Sequence, residues 1–256
     1  MDPRVAATAR CDHGSTTRST TKLAGVTVAR AGDLAPYRTG DGSLTLRSAQ
    51  HGEGYHSVHG AVVESTHVFI SSGLQYVIDR RGDRLEAEPI RVLEIGLGTG
   101  LNLLLTWIRC LEGKCNVDYT SLEPFPLPES TLEQLAYWDE LSWPGLKEGF
   151  LEMMRMDEQH HEKDGLTFRW NRTPVEELAE RGEYDLVYFD AFGPATDPAM
   201  WTADVLERVY GSMREGGVLV TYCAKGEVRR TLASIGFAVE RLQGPPGKRE
   251  MIRAIK

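Results

Sequence analysis

Residues 90–111 read IRVLEIGLGTGLNLLLTWIRCL, and this stretch decides the architecture. Ile90 to Ile95 is an apolar run of strand length, Gly96, Gly98 and Gly100 make a turn, and Leu101 to Leu111 continues as a mostly apolar helix. A strand, a glycine turn and a helix in that order present backbone N–H groups that a ligand can approach closely, because no Cβ stands in the way. Outward from this unit, Val117–Leu122, Leu166–Trp170, Tyr184–Phe189 and Gly217–Tyr222 read as further strands. Helical segments predicted at Pro128–Trp138, Pro174–Glu180, Pro198–Tyr210 and Glu227–Ser234 alternate with them. That alternation predicts an α/β protein with an open, mainly parallel sheet between helices. Phe237–Leu242 and Glu250–Ile255, joined through Gly244, Pro245, Pro246 and Gly247, read as an antiparallel edge hairpin.

Upstream, three stretches have different characters. Residues 1–24 are rich in Thr, Ser, Arg and Ala without hydrophobic periodicity and read as a flexible leader. Residues 25–75 form a small extension, which the resemblance named below implies contributes to the site, with short alternating segments around Gly32, Gly40 and Gly42 that predict a hairpin. Its second part, His56 to Leu74, carries Val58, Val62, Val63, Val68 and Phe69 between polar positions and predicts a helix. The main domain then occupies residues 76–256.

Hydrophobic residues make up 41% of the 256 residues and charged residues 26%, which is a globular balance and excludes a disordered chain. No apolar run approaches the length of a membrane span, so no membrane partner is expected. Cys11, Cys110, Cys115 and Cys223 form no CxxC pair, and neither a disulfide scaffold nor a signal peptide is evident, so a cytoplasmic location is expected. The formal net charge of -8 excludes a uniformly basic nucleic-acid-binding body. Its distribution is uneven: residues 51–220 hold 14 basic and 30 acidic side chains, whereas residues 221–256 hold eight basic and three acidic. A single basic face is therefore compatible with the acidic remainder.

The turn pattern is GxGxG rather than the dinucleotide-type GxGxxG, with Glu94 immediately before it. Glu123, at the end of the next strand in YTSLEPF, can accept hydrogen bonds from both hydroxyls of a ribose. Together these residues favour an adenosyl cofactor, with NAD as the nearest competitor because it also needs an acidic ribose partner. Glu94 faces the cofactor's ammonium in this reading, and Asn102 either touches the cofactor or caps backbone groups. No P-loop lysine follows the glycines, and seven scattered histidines without an HExxH pattern give no metal site.

The ordered set of motifs resembles the methyltransferase domain of the MnmC family, especially its stand-alone members. The resemblance covers approximately Leu44 to Ile255. It rests on GEGYHSVHGAVVESTHVFISSGL at 52–74, VLEIGLGTGLN at 92–102, YTSLEPFPL at 119–127, YFDAFGPATDPAMWT at 188–202, VTYCAKGEVRRTL at 220–232 and GPPGKREMIRA at 244–254. It implies a Rossmann-like class I methyltransferase that uses S-adenosyl-L-methionine to methylate the aminomethyl nitrogen of modified uridine 34 in tRNA. The stand-alone form lacks the FAD-dependent oxidase domain, so no FAD is expected, and a separate enzyme would supply the aminomethyl-uridine.

The same resemblance makes Asp190 the leading catalytic residue, at the end of the strand YDLVYFD, where it either accepts a proton or only orients the amine. It places Phe192 and Tyr55 beside the reacting groups, with Trp201 and Tyr222 nearby. Glu64 is assigned to the cofactor's methionyl portion or to holding a neighbouring loop, while His56 and His67 suit packing or hydrogen bonding. The segment FRWNRTPVEEL departs from the methyltransferase pattern in lacking the Asp that contacts adenine, which leaves Asn171 as the candidate. Lys225, Arg229, Arg230, Lys248 and Arg249 supply the positive charges expected to meet RNA phosphates. A small-molecule amine methyltransferase and a noncatalytic cofactor-binding protein remain the rival readings.

Overall fold

The computed structural model describes residues 34–48, 54–82, 88–155 and 160–256. The predicted leader and the beginning of the extension lie outside these residues. Strands β1 (Leu34–Arg38) and β2 (Leu44–Ser48) form the antiparallel hairpin expected of the extension, turning through Gly42 at φ 92. A continuous helical rod follows: α1 (Ala61–Ser65), a π-helical segment (Thr66–Gln75) and α2 (Tyr76–Arg81). The rod lies tightly on the main sheet. A side chain at Gly73 would meet the Val220 side chain at 2.9 Å.

The main sheet holds β3 (Ile90–Ile95), β4 (Val117–Leu122), β5 (His160–Lys163), β6 (Leu166–Asn171), β7 (Tyr184–Phe189), β8 (Met213–Thr221), β9 (Ala238–Gln243) and β10 (Glu250–Ile255). Their order is β5-β6-β4-β3-β7-β8-β10-β9. The five central strands β6, β4, β3, β7 and β8 are parallel, and an antiparallel strand or hairpin closes each edge. From β3 the chain moves outward in one direction through β4 and β6, then returns to β7 on the other side. The gap outside the carboxyl ends of β3 and β7 is thus the topological switch point, where open α/β sheets hold their ligands.

Side-chain alternation along the strands sorts the core into two layers. Val92, Tyr119, Leu186 and Val220 join the layer containing α3 (Leu101–Leu111) and the π-helical segment. Leu93, Ile95, Val187 and Leu219 join the layer containing α7 (Ala203–Ser212) and α8 (Gly226–Ile235). Helix α3 is apolar around most of its circumference and buried on nearly all of it; even Asn102 and Thr106 on it are buried.

Several predicted helices change shape for local reasons. The segment expected at Pro128–Trp138 divides into α4 (Glu129–Leu135) and α5 (Tyr137–Glu140), because Ala136 between them takes a left-handed conformation at φ 46. The helix expected at Pro174–Glu180 is one 3-10 turn, Val175–Glu177. That expected at Pro198–Tyr210 begins with a 3-10 turn and restarts as α7, where the Thr202 hydroxyl caps Val205 N–H at 3.4 Å. Helix α6 (Lys147–Arg155) and edge strand β5 were not predicted.

Candidate active site

The glycine turn lets two strand ends converge. Gly96 sits at φ 89, and a Cβ there would stand 2.9 Å from the Asp190 carbonyl oxygen. Any other residue would force the exits of β3 and β7 apart. Gly98, at φ 50, lies beneath the Tyr55 ring, which a Cβ would meet at 3.2 Å. Gly100, at φ 74, opens α3. The exits are tied by Asp190 N–H donating to the Ile95 carbonyl at 3.0 Å and Gly96 N–H donating to the Leu122 carbonyl at 3.1 Å.

Asn102, in the first turn of α3, joins two carboxyl groups. Its amide nitrogen donates to Glu94 Oε1 and to Asp190 Oδ2, each at 2.9 Å, which uses both of its hydrogens. Burial pushes the Glu94 carboxyl well above the usual range, opposed by the Asn102 amide. Asp190 is likewise pushed well above it, first by burial and then by the Glu64 charge, with Asn102 and Lys248 opposing. Glu123 accepts Phe125 N–H at 2.8 Å and Gly98 N–H at 3.3 Å, yet burial dominates and pushes it up to about 7.

This donor set fits S-adenosyl-L-methionine. Asn102 Oδ1 is a buried acceptor without a hydrogen-bond partner beside the Glu94 carboxyl, and an ammonium group supplies the donor that such an atom needs. Glu123 carries acceptor capacity for a vicinal diol beside the glycine backbone. Ser121 Oγ, from strand β4, is also buried without a hydrogen-bond partner, and the buried Tyr119 hydroxyl of the same strand neighbours the Glu94 carboxyl.

The opposite wall comes from distant segments. Tyr55 packs edge-on against Phe192, with ring centroids 5.1 Å apart. Burial, followed by the Glu123 charge, pushes the Tyr55 phenol up to about 12, so it stands neutral over the turn. Trp201 Nε1–H donates to the Phe192 carbonyl at 2.8 Å, and the Tyr222 hydroxyl donates to the Ala191 carbonyl at 2.9 Å, which together fix the backbone that follows Asp190. Glu64 Oε2 accepts Ser57 N–H at 2.7 Å, and Glu64 Oε1 pairs with Lys248 Nζ at 2.6 Å. Lys248 also lies 3.9 Å from the centre of the Tyr222 ring.

The remaining predicted residues are distributed unevenly. His56 is held down to about 4 by burial and sits 2.7 Å from Thr45 Oγ1, and His67 Nε2 lies 2.8 Å from the Gln243 carbonyl. Both histidines make structural contacts of the extension. Asn171 accepts Glu123 N–H through its carbonyl at 3.1 Å, but its position pairs with Leu122, on the face away from Glu94. It lines a surface groove with Asp118, Thr120 and Arg169. Lys225, Arg230 and Arg249 are exposed and Arg229 is half-buried. Lys248, grouped with them by charge, instead turns toward Glu64. Sequence reasoning missed that pairing, as it missed Tyr119 and Ser121, because only the folded sheet brings these side chains together.

Residues 143–256 match a family described as S-adenosyl-L-methionine-dependent methyltransferase, a match that starts downstream of the glycine turn. The tRNA 5-methylaminomethyl-2-thiouridine biosynthesis bifunctional protein MnmC of Nitrosospira multiformis is 32% identical over 221 residues, covering 81% of this chain and 35% of that protein. The protein of the same name from Aromatoleum aromaticum is 32% identical over 231 residues, covering 84% and 34%. The chain thus spans about a third of the length of these curated relatives. Among solved structures, MnmC2 from Aquifex aeolicus superposes with a TM-score of 0.67 at 28% identity, covering 86% of this chain and 70% of that one. Spermidine synthase from Thermotoga maritima, at 12% identity and a TM-score of 0.51, shares the fold alone. Fold, family match and relatives together make this chain an MnmC-like, S-adenosyl-L-methionine-dependent methyltransferase domain.

Proposed function

We propose that the domain methylates the aminomethyl nitrogen of 5-aminomethyl-(2-thio)uridine at tRNA wobble position 34. The observation that carries this reading is the position of Asp190: a carboxylate at the switch point, tied by Asn102 to Glu94 and flanked by the Phe192 and Tyr55 rings. When bound, S-adenosyl-L-methionine supplies an electrophilic methyl carbon on a sulfonium. Glu94 and Asn102 hold its ammonium, Glu123 its ribose, and the backbone of Gly96, Gly98 and Gly100 allows close approach.

The acceptor nitrogen must present a free lone pair, since the new N–C bond forms as the C–S bond breaks and a proton leaves nitrogen. Asp190, with its raised proton affinity, is suited to hold that nitrogen and take the proton; an Asp at its ordinary value is a poor base for an alkylammonium. Phe192 and Tyr55 give the base apolar surfaces and exclude water. Residues 34–48 and 54–75 serve as the acceptor-side wall of the Rossmann-like domain. Lys225, Arg229, Arg230 and Arg249 meet phosphates on the face of α8 and the β9–β10 turn. The reading has the domain act on tRNA in the cytoplasm, after a separate enzyme has supplied the amine. Among the described residues no helix is long and apolar enough to cross a membrane.

The test combines the purified chain with methyl-labelled S-adenosyl-L-methionine and tRNA bearing 5-aminomethyl-2-thiouridine, followed by nucleoside mass spectrometry. Labelled 5-methylaminomethyl-2-thiouridine is expected. Turnover of free amines without tRNA would instead identify a small-molecule enzyme, and cofactor binding without transfer to either would identify a noncatalytic protein.

A further inference from the structure

We infer that Lys248 is a positioning residue of the methyl-acceptor pocket and not a phosphate contact, acting through Glu64 on one wall and Tyr222 on the other. The inference rests on the methyl-transfer reading above. Lys248 lies at the turn between β9 and β10, where a basic side chain next to Arg249 would ordinarily extend into solvent. Here its side chain keeps only 31% of its exposure, and its ammonium pairs with a Glu64 side chain that is 7% exposed.

Each partner of Lys248 leads to a different pocket wall. Glu64 also accepts Ser57 N–H, which anchors the turn carrying Tyr55 over Gly98 and against Phe192. Tyr222, under the same ammonium, donates to the Ala191 carbonyl between Asp190 and Phe192. One cation therefore braces the Tyr55 wall and the Phe192 wall together. The turn is shaped for this approach: Gly247, at φ 84, sits against the His59 ring, which a Cβ there would overlap at 1.9 Å. A buried carboxylate deprived of its partner is also strongly destabilising, so Glu64 depends on the lysine.

The experiment uses the full chain and three readouts: single-turnover methyl transfer at saturating tRNA and cofactor, tRNA affinity as a function of salt, and hydrogen exchange of residues 54–58 and 191–197. For Lys248→Met the expected result is a loss of roughly 10- to 100-fold in transfer, the scale on which misplaced reacting groups lose rate. The salt slope should stay unchanged, and exchange in both segments should quicken while β3 and β4 keep their protection. Lys248→Arg should recover part of the rate, and Lys248→Met combined with Glu64→Gln should be no slower than Lys248→Met alone, since the two act as a unit. Lys225→Gln, by contrast, should lower the salt slope by about one. A Lys248→Met protein with transfer within two-fold of the parent, or with a slope reduced by about one and unaltered exchange, overturns the inference. If the parent chain fails to methylate this tRNA, the substrate reading falls, and the exchange comparison still decides the role of Lys248.

Discussion

The two walls of the proposed methyl-transfer site are built in opposite ways. The cofactor wall is assembled from one short stretch, Glu94 to Asn102, with Glu123 added by the neighbouring strand. The acceptor wall draws Tyr55 and Glu64 from the extension, Asp190 and Phe192 from the exit of β7, Tyr222 from the end of β8 and Lys248 from the last hairpin. Backbone geometry dominates the first wall and side-chain packing across the fold dominates the second. Substitutions on the cofactor wall should therefore change cofactor affinity, and those on the acceptor wall should change transfer with affinity preserved.

Asp190→Asn breaks this comparison most directly, because Asp190 touches both walls. Asparagine keeps the shape and loses the negative charge and the proton affinity. Single-turnover transfer should fall by about 10²- to 10⁴-fold, the range for a lost general base, while S-adenosylhomocysteine affinity by calorimetry stays within a few-fold. Parent activity should also decline as pH falls through the raised value of this carboxyl, because only its ionised form accepts a proton. Transfer unchanged in Asp190→Asn would remove the residue from the mechanism and leave solvent to take the proton.

Glu123→Gln sharpens the other side. A charged hydrogen bond contributes about 1.5–3 kcal/mol, so cofactor affinity should weaken by roughly 10- to 100-fold, with the rate at saturating cofactor largely retained. Burial holds this carboxyl at about 7, which makes affinity in the parent fall as pH drops through that value and leaves the variant flat. The sign for stability is opposite. Without cofactor, the folded state binds this proton more tightly than the unfolded chain, so the contribution is fully present below the ordinary carboxylate value and is lost as pH rises through about 7. Thermal unfolding and cofactor titrations of parent and variant across that window check both signs.

What could be read from the sequence follows the same division. The strand, glycine turn and helix at 90–111 are encoded by residues adjacent in the chain, so the turn, Glu94 and the exits of β3 and β7 were legible. The edge hairpin β9–β10 was legible from its Gly-Pro-Pro-Gly connection. Strand β5 was not, because its sequence HHEK lacks apolar alternation and pairs only as an edge. The break at Ala136 was hidden as well, since alanine is a strong helix former and tertiary packing sets its left-handed conformation. Likewise, nothing in THVFISSGLQ announces a π-helical path; it reads as an ordinary amphipathic helix. Lys248 shows the limit most clearly: composition counts it with the basic face, and only the tertiary fold reveals the carboxylate it serves.

The smallest effect is expected outside both walls. Lys225 and Arg230 are exposed and Arg229 is half-buried on or beside α8, where each side chain can meet a phosphate without reading a base. Replacing all three with Gln should leave cofactor affinity unchanged and weaken tRNA binding by a modest factor at low salt. The slope of log affinity against log salt should fall by about one for each phosphate left unneutralised, so the three replacements together bring it down by about three if all of them engage RNA. A slope that does not move would place the tRNA on another face. The pocket itself would stand unchanged in that case, because the walls around Asp190 are fixed by interactions in which these three side chains take no part.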